Sequence, residues 1–180
     1  KPKPEKLPPK TETLAELRVV RAGVHVTEEG GTERDPYPRE RLTEAEVVRI
    51  EDGGLAWIRR DGGSTVLVKG PAKIVTHRDT LDVVEGRVFA ESPQGIVTSV
   101  TTPEGPLQLS DVRASLEVRD GTSDVYVLTG EVRTAGGDAA SSGELLHLTK
   151  GAATVSPKAA WDWCRCRSIT ANRAKDFRSR

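Results

Sequence analysis

Short apolar runs alternate with polar residues along most of the chain, and glycine-rich turns separate them. The stretch DGGLAWIRRDGGSTVLVKG, residues 52–70, contains Asp-Gly-Gly twice, with six residues between the two copies. Asp-Gly and Gly-Gly supply the positive φ angles that tight turns need, and a six-residue span suits one short strand. We therefore expect the chain to reverse at Gly53/Gly54 and at Gly62/Gly63, on either side of a strand that places Trp57 in the core.

Four further segments share one pattern, in which two or three apolar residues precede a glycine and apolar residues resume after it. A glycine inside a strand marks a bulge, a sharp bend or a close approach of two backbones. We expect each of these strands to turn a corner at its glycine and to continue on another face. The corner glycines are Gly70, Gly86, Gly130 and Gly151, in TVLVKGPAKI, LDVVEGRVFA, VYVLTGEVRT and LHLTKGAATV.

The rest of the body also favours strands. Residues 17–31 and 114–128 are typical of hairpins, and residues 95–109 predict two strands around a Pro-Glu-Gly-Pro turn. Helical character is confined to residues 39–52, where Thr43 and Glu46 are spaced as a capping box. The sequence thus predicts an all-β fold with at most one short helix near 43–50. A β-roll, a short irregular β-solenoid and two stacked sheets with glycine corners all satisfy this pattern.

Charge and composition divide the chain into three parts. Residues 1–13 are a Lys/Pro-rich linker, residues 14–160 the β domain, and residues 161–180 a basic tail with Trp and Cys-x-Cys. Residues 1–10 carry four Lys and one Glu, and residues 161–180 carry six Lys or Arg and two Asp. The stretch between these ends is net acidic, so we expect no nucleic-acid partner. No stretch has the roughly 20 apolar residues of a membrane span.

The sequence offers no convincing catalytic, cofactor or metal site. His25, His77 and His147 are far apart, and no GxSxG elbow or HxH pair is present. A metal-binding cupin-like barrel, the best enzymatic alternative, would need two closely spaced histidines and a glutamate. Cys164 and Cys166 are too close in sequence for an unstrained disulfide and lack companion metal ligands. We expect a non-enzymatic protein without cofactor or metal.

The tail contains the candidate partner contact. Trp161 and Trp163 flank Asp162, and Arg165 and Arg167 follow. Tryptophan and arginine are enriched at energetically important protein contacts. These four residues are therefore predicted to contact a partner; the alternative is that Trp161 caps the open end of the β domain and Trp163 is half exposed.

The order of these segments resembles the FecR-type domain, of which this chain would be a divergent member. The matching segments are Leu81–Val88, Val100–Gly105 and Val125–Val132, and the resemblance extends over about residues 18–156. The family usually has a Gly-Thr-x-aromatic segment after Thr-Pro, where this chain has Asp111-Val112-Arg113-Ala114.

The resemblance implies a non-catalytic, extracytoplasmic protein-binding module of a membrane-tethered signal transducer. Such a module contacts another envelope protein and regulates a sigma factor or a similar regulator. We expect it in the periplasm or cell envelope, with a segment outside residues 1–180 anchoring it to the inner membrane. The alternative is a structural scaffold or adhesion module of the cell envelope that uses exposed β edges. Two features favour this alternative. One is the altered segment at 111–114, and the other is the small number of residues, 24, that follow Ser156.

Overall fold

The computed structural model describes residues 12–28 and 31–157. These residues form thirteen β-strands and no helix, so the all-β prediction is confirmed. The strands are β1 Ala15–Arg21, β2 Val24–Thr27, β3 Glu40–Leu42, β4 Val47–Ile50, β5 Leu55–Arg60, β6 Thr65–Thr76, β7 Thr80–Glu91, β8 Val97–Thr102, β9 Gly105–Arg119, β10 Thr122–Thr134, β11 Ala139–Ser141, β12 Glu144–Thr149 and β13 Ala152–Pro157.

All thirteen strands belong to one open, mixed sheet rather than a closed barrel. Its main path runs β13-β12-β10-β9-β8-β7-β6-β5-β1-β3, with β2, β4 and β11 attached beside it. The pairing of β7 with β8 is parallel, and the other pairings are antiparallel. Strands β13 and β3 end the path.

Each of the long strands β6, β7, β9 and β10 changes its pairing partner halfway along one of its two sides. The first half of β6 pairs with β5, whereas its second half pairs with β4. The first half of β10 pairs with β12, and its second half pairs with β11. The sheet therefore has two runs of strand segments, joined where the long strands bend. One run contains β1, β5 and β12, and the other contains β2, β4, β8 and β11.

The bends of neighbouring strands lie side by side, in a row that we call the corner line. A Cβ added at Gly70 would overlap the carbonyl oxygen of Glu51, the first residue after β4. A Cβ at Gly86 would overlap Ala72, just beyond the bend of β6. The same close approach occurs farther along, where a Cβ at Gly130 would overlap the carbonyl oxygen of Asp111 on β9. Backbones cross so closely at these bends that no side chain fits.

Gly151 differs from the other three glycines. It lies in the turn between the paired strands β12 and β13, and a Cβ there would meet nothing within 4 Å. It therefore occupies a hairpin turn, and the corner expected at this position is absent.

Three local predictions are wrong because pairing with distant strands decides the structure. The helix expected near 43–50 is a turn followed by β4, although the Thr43 N–H does donate to the Glu46 carboxylate, at 2.5 Å. The hairpin expected at 17–31 is absent, since β1 pairs with β3 and β5 while β2 pairs with β4. The reversal expected at Gly53/Gly54 is also absent, because β4 and β5 both run antiparallel to β6 and these glycines carry the chain from one run to the other. Gly62 and Gly63 do reverse it, in the β5–β6 hairpin.

The core lies between the two runs and consists of aliphatic side chains. Ile58 and Val66 from the first run and Ile74 and Val83 from the second are fully buried and belong to one cluster. Trp57 is not part of it, because its neighbours Ala56 and Ile58 take the inward positions and Trp57 is left half-buried on the outer face. The prediction of a core Trp57 is wrong, since alternation along β5 assigns the tryptophan to the other face.

Candidate functional site

A loop that precedes β3 presents the most exposed aromatic side chain of the described residues. Tyr37 lies between Pro36 and Pro38, and it is 68% exposed. Proline on either side fixes φ and removes a backbone donor, which favours an extended, stiff loop. The Arg34 guanidinium lies 5.1 Å from the centre of the Tyr37 ring, within cation–π range. Tyr37 is thus held in place while much of its ring remains accessible.

Glu40 anchors this loop to the sheet. Its carboxylate accepts from the Tyr37 backbone N–H at 2.7 Å and from Arg34 Nη1 at 2.9 Å, and its side chain is only 8% exposed. Burial alone would raise the pKa of Glu40, but the hydrogen bonds from Arg34 and Tyr37 outweigh it, and the pKa lies below the ordinary value. The same pair raises the pKa of the Arg34 guanidinium. Glu40 is therefore an ionised, nearly buried clamp.

The exposed ring borders an open cleft next to β1. This cleft is lined by Arg18, Val19, Pro36, Tyr37, Pro38 and Arg39. Val19 is 44% exposed because β3 pairs only with residues 15–17 of β1, which leaves the end of β1 uncovered on that side. A neighbouring cleft shares Arg39 and adds Arg41, Glu16 and Asp61. We call this region, Val19, Tyr37 and the arginines Arg18, Arg39 and Arg41, the Tyr37 surface.

The Tyr37 surface has the composition of a protein contact. An exposed tyrosine and valine lie beside several arginines, and tyrosine and arginine are both enriched at binding hot spots. The open shape of the clefts suits a protein segment better than an enclosed small molecule. The sequence analysis did not single out this site. The signal was present in Asp35-Pro36-Tyr37-Pro38-Arg39, where two prolines bracket an aromatic residue.

The structure places the three histidines at separate positions, each beside carboxylates. His147 Nδ1 lies 2.6 Å from Asp124 on the neighbouring strand, and His77 Nδ1 lies 2.7 Å from Glu44. The hydrogen bond with His77 lowers the pKa of Glu44. His25 belongs to β2, on the other run from His147. Within residues 12–28 and 31–157, no group of three His, Cys, Asp or Glu side chains could hold a metal ion.

The contact predicted at Trp161, Trp163, Arg165 and Arg167 lies outside the described residues, as do Cys164 and Cys166. The four-residue contact stays a prediction. Among the residues that are described, none belongs to a helix with the length and hydropathy that crossing a membrane requires.

Comparison with known proteins gives a likeness of fold. No protein-family model and no curated protein sequence matches this chain, so the FecR-type resemblance stays a prediction. Two crystal structures of a "putative anti-sigma factor" from Parabacteroides distasonis are similar to it, both with a TM-score of 0.55. They are 13% and 14% identical in sequence, and each match covers 63% of this chain. The chain spans 60% of the length of those two relatives. At this level of identity the likeness concerns the fold.

Proposed function

We propose that this chain is a non-catalytic protein-binding module of a FecR-like, membrane-tethered signal transducer. In this proposal it lies outside the cytoplasm, in the periplasm or cell envelope, and regulates a sigma factor or a similar regulator. The observation that carries the proposal is the likeness of the folded sheet to the two anti-sigma factor structures. The segments that resemble the FecR-type domain support the finer assignment.

The Tyr37 surface supplies the contact that such a module needs. Its exposed ring and arginines suit a folded partner that carries acidic residues and an apolar patch. Rigid mounting favours tight binding, because the loop loses little conformational entropy when a partner docks. The Glu40 clamp and the two prolines provide that rigidity.

A pulldown from bacterial cell-envelope extract tests the proposal. The tagged chain, its Tyr37→Ala variant and a Val97→Ala control would each be used as bait, and captured proteins identified by mass spectrometry. Val97 is a suitable control because it is also a large exposed apolar residue, 60% exposed, but lies on β8. We expect the wild type and the control to capture a sigma-pathway component or an outer-membrane transporter, and the Tyr37 variant to capture several-fold less.

Two results would count against this function. Capture of other envelope proteins only, with equal yield from all three baits, would replace it with the scaffold function. Capture of nothing specific would reject the protein-binding module itself. In the same assay Trp163→Ala tests the tail contact: it should lower binding, whereas Trp161→Ala should lower thermal stability.

One observation favours the scaffold function as the second candidate. Among the described strands β13 pairs only with β12, and Ala152, Thr154 and Val155 along it are exposed. An exposed edge strand is a ready template for pairing with a strand of another chain. The backbone N–H of Val155 points away from β12, so replacing Val155 by Pro removes a donor from the free side of β13 and would reduce capture of a partner that binds by strand pairing.

A further inference from the structure

A row of side chains, five of them large and apolar or aromatic, crosses the outer face of the sheet on six neighbouring strands. The register pairs Trp57 of β5 with Leu67 of β6, and Leu67 with Phe89 of β7. The row continues by direct pairing through β9, β10 and β12. We call it the outer stripe, and its members are Trp57, Leu67, Phe89, Ser115, Tyr126 and Leu145.

The outer stripe faces away from the core. Val88 and Ala90, on either side of Phe89, are buried in the core cluster, whereas Phe89 itself is half-buried. Tyr126 and Leu145 are also half-buried, on strands whose alternate residues are fully buried. Leu67 and Ser115 lie in the same row but are buried, at 6% and 4% exposed. Because strands are about 4.8 Å apart, the six strands give a row about 24 Å long, in which Trp57, Phe89, Tyr126 and Leu145 are partly exposed. An apolar row of this length on a polar face indicates an interaction surface.

The charged residues beside the stripe follow a definite order. Along the row that runs next to it, direct pairing connects Lys69, Arg87, Glu117 and Asp124 on β6, β7, β9 and β10. The order is therefore two cations followed by two anions, with the sign changing between β7 and β9. On the opposite side of the stripe the order is inverted, since Glu91 of β7 pairs with Arg113 of β9.

This order is self-complementary. A two-fold axis parallel to the strands and midway between β7 and β9 would place β7 opposite β9 of a second copy, and β6 opposite β10. Each cation of the first row would then face an anion, and Lys69 would face Asp124. Among the described residues Lys69 makes no ion pair, whereas Asp124 already lies 2.6 Å from His147 Nδ1. The contact would therefore give Lys69 a partner that it lacks in the single chain, and Asp124 a second one. The same axis would set the large Phe89 against the small Ser115.

The area is sufficient for a weak, specific dimer. Three rows of outward residues on six strands, at about 33 Å² for each position, cover about 590 Å² on each copy. Two copies together would bury about 1,200 Å², the lower limit for stable, specific protein interfaces. Face-to-face packing with nearly aligned strands is also one of the two standard arrangements of layered β-sheets.

We propose that the outer stripe is an interface with a second copy of this chain, in which the two sheets pack face to face about that two-fold axis. This dimer is independent of the regulatory function proposed above and uses different residues from the Tyr37 surface. A negative pulldown therefore does not count against the proposed dimer, and a failed dimerisation assay does not count against the proposed regulatory function.

Sedimentation equilibrium tests the proposal on the full chain, over about 1 µM to 1 mM, the range of moderate to weak dissociation constants. We expect a reversible monomer–dimer equilibrium. Because of the symmetry each dimer contains the Lys69–Asp124 contact twice, so Lys69→Glu should weaken dimerisation about tenfold or more, and Asp124→Lys likewise. Lys150→Glu, the same charge change on an exposed turn, should leave it within about twofold.

Mixing the two charge-reversed variants gives the decisive result. A Lys69→Glu chain and an Asp124→Lys chain restore both contacts in a mixed dimer, so the mixture should associate within about threefold of the wild type. Phe89→Ser should also weaken the dimer, with circular dichroism confirming that the variant remains folded. A wild type that stays monomeric throughout would overturn the proposal. So would a dimer that is insensitive to Lys69→Glu and Phe89→Ser, or a mixture that fails to associate.

Discussion

Gly86→Ala tests whether the close crossing at the corner line requires glycine. Gly86 has φ +107°, a conformation that costs an L-residue with a Cβ about 1–2 kcal/mol. The added methyl would also overlap Ala72 and lie 2.6 Å from the Pro71 carbonyl oxygen. Both neighbours are backbone or buried groups that cannot swing aside, and overpacking of this kind costs about 1–3 kcal/mol.

The two contributions together predict a loss of about 2–5 kcal/mol, a large part of the stability of an ordinary domain. For a domain of this size that corresponds to a fall in Tm of roughly 5–15 °C. Urea denaturation followed by circular dichroism, with thermal melts in parallel, would measure the loss. The partial rescue expected from Gly86→Ala combined with Ala72→Gly would locate the clash at Ala72.

Gly137→Ala is the matched control. Gly137 has φ +94°, but a Cβ there would meet nothing within 4 Å, so only the backbone strain of about 1 kcal/mol should appear. Equal losses for the two variants would refute the steric argument for the corner line. A loss at Gly86 below about 1 kcal/mol would refute both contributions.

Three further predictions concern single side chains. The Ser115 hydroxyl is buried without a hydrogen-bond partner among the described residues, so Ser115→Ala should leave stability unchanged or raise it by up to about 1 kcal/mol in urea denaturation. Because the pKa of Glu40 is lowered from 4.5 in the folded chain, its contribution is present above that value and lost as the pH falls through the lowered pKa. Glu40→Gln should therefore cost about 1–2 kcal/mol at pH 7 and flatten the decline of stability below pH 5, and an unchanged slope would contradict the Arg34 clamp. Trp57→Ala should destabilise the chain less than Ile58→Ala, which should cost about 2–5 kcal/mol. If the Trp57 variant had the lower melting temperature of the two, Trp57 would belong to the core after all.

Local patterns were sufficient to predict the strands but not their partners. The hairpin around Asp120-Gly121 has the two-residue turn that its sequence predicts, and the one around Gly62-Gly63 also forms, although its loop has three residues, 61–63. Val24 and His25 alternate as a strand should, yet the sequence does not reveal that β2 pairs with β4 instead of β1. Which strand lies beside which depends on burial across the whole core, and short apolar runs of similar composition leave several pairings equally satisfied.

The candidate site shows the same limit. Tyr37 is held in an exposed position because Glu40, three residues later, lies in the sheet and accepts a hydrogen bond from the loop. The outer stripe is invisible in sequence, since Trp57, Phe89 and Tyr126 lie in three separate segments and meet only through register. A reading of each strand by itself assigns an aromatic residue to the core by default.

The corner line also governs how the sheet can open. Strands β6, β7, β9 and β10 run through both runs, so opening either run would tear ladder hydrogen bonds from strands that the other run still holds. Local fraying is then restricted to elements that belong to one run and have one neighbour, such as β13 and β11. The slowest-exchanging amides should lie on the four shared strands, which makes this open sheet one cooperative unit with soft ends.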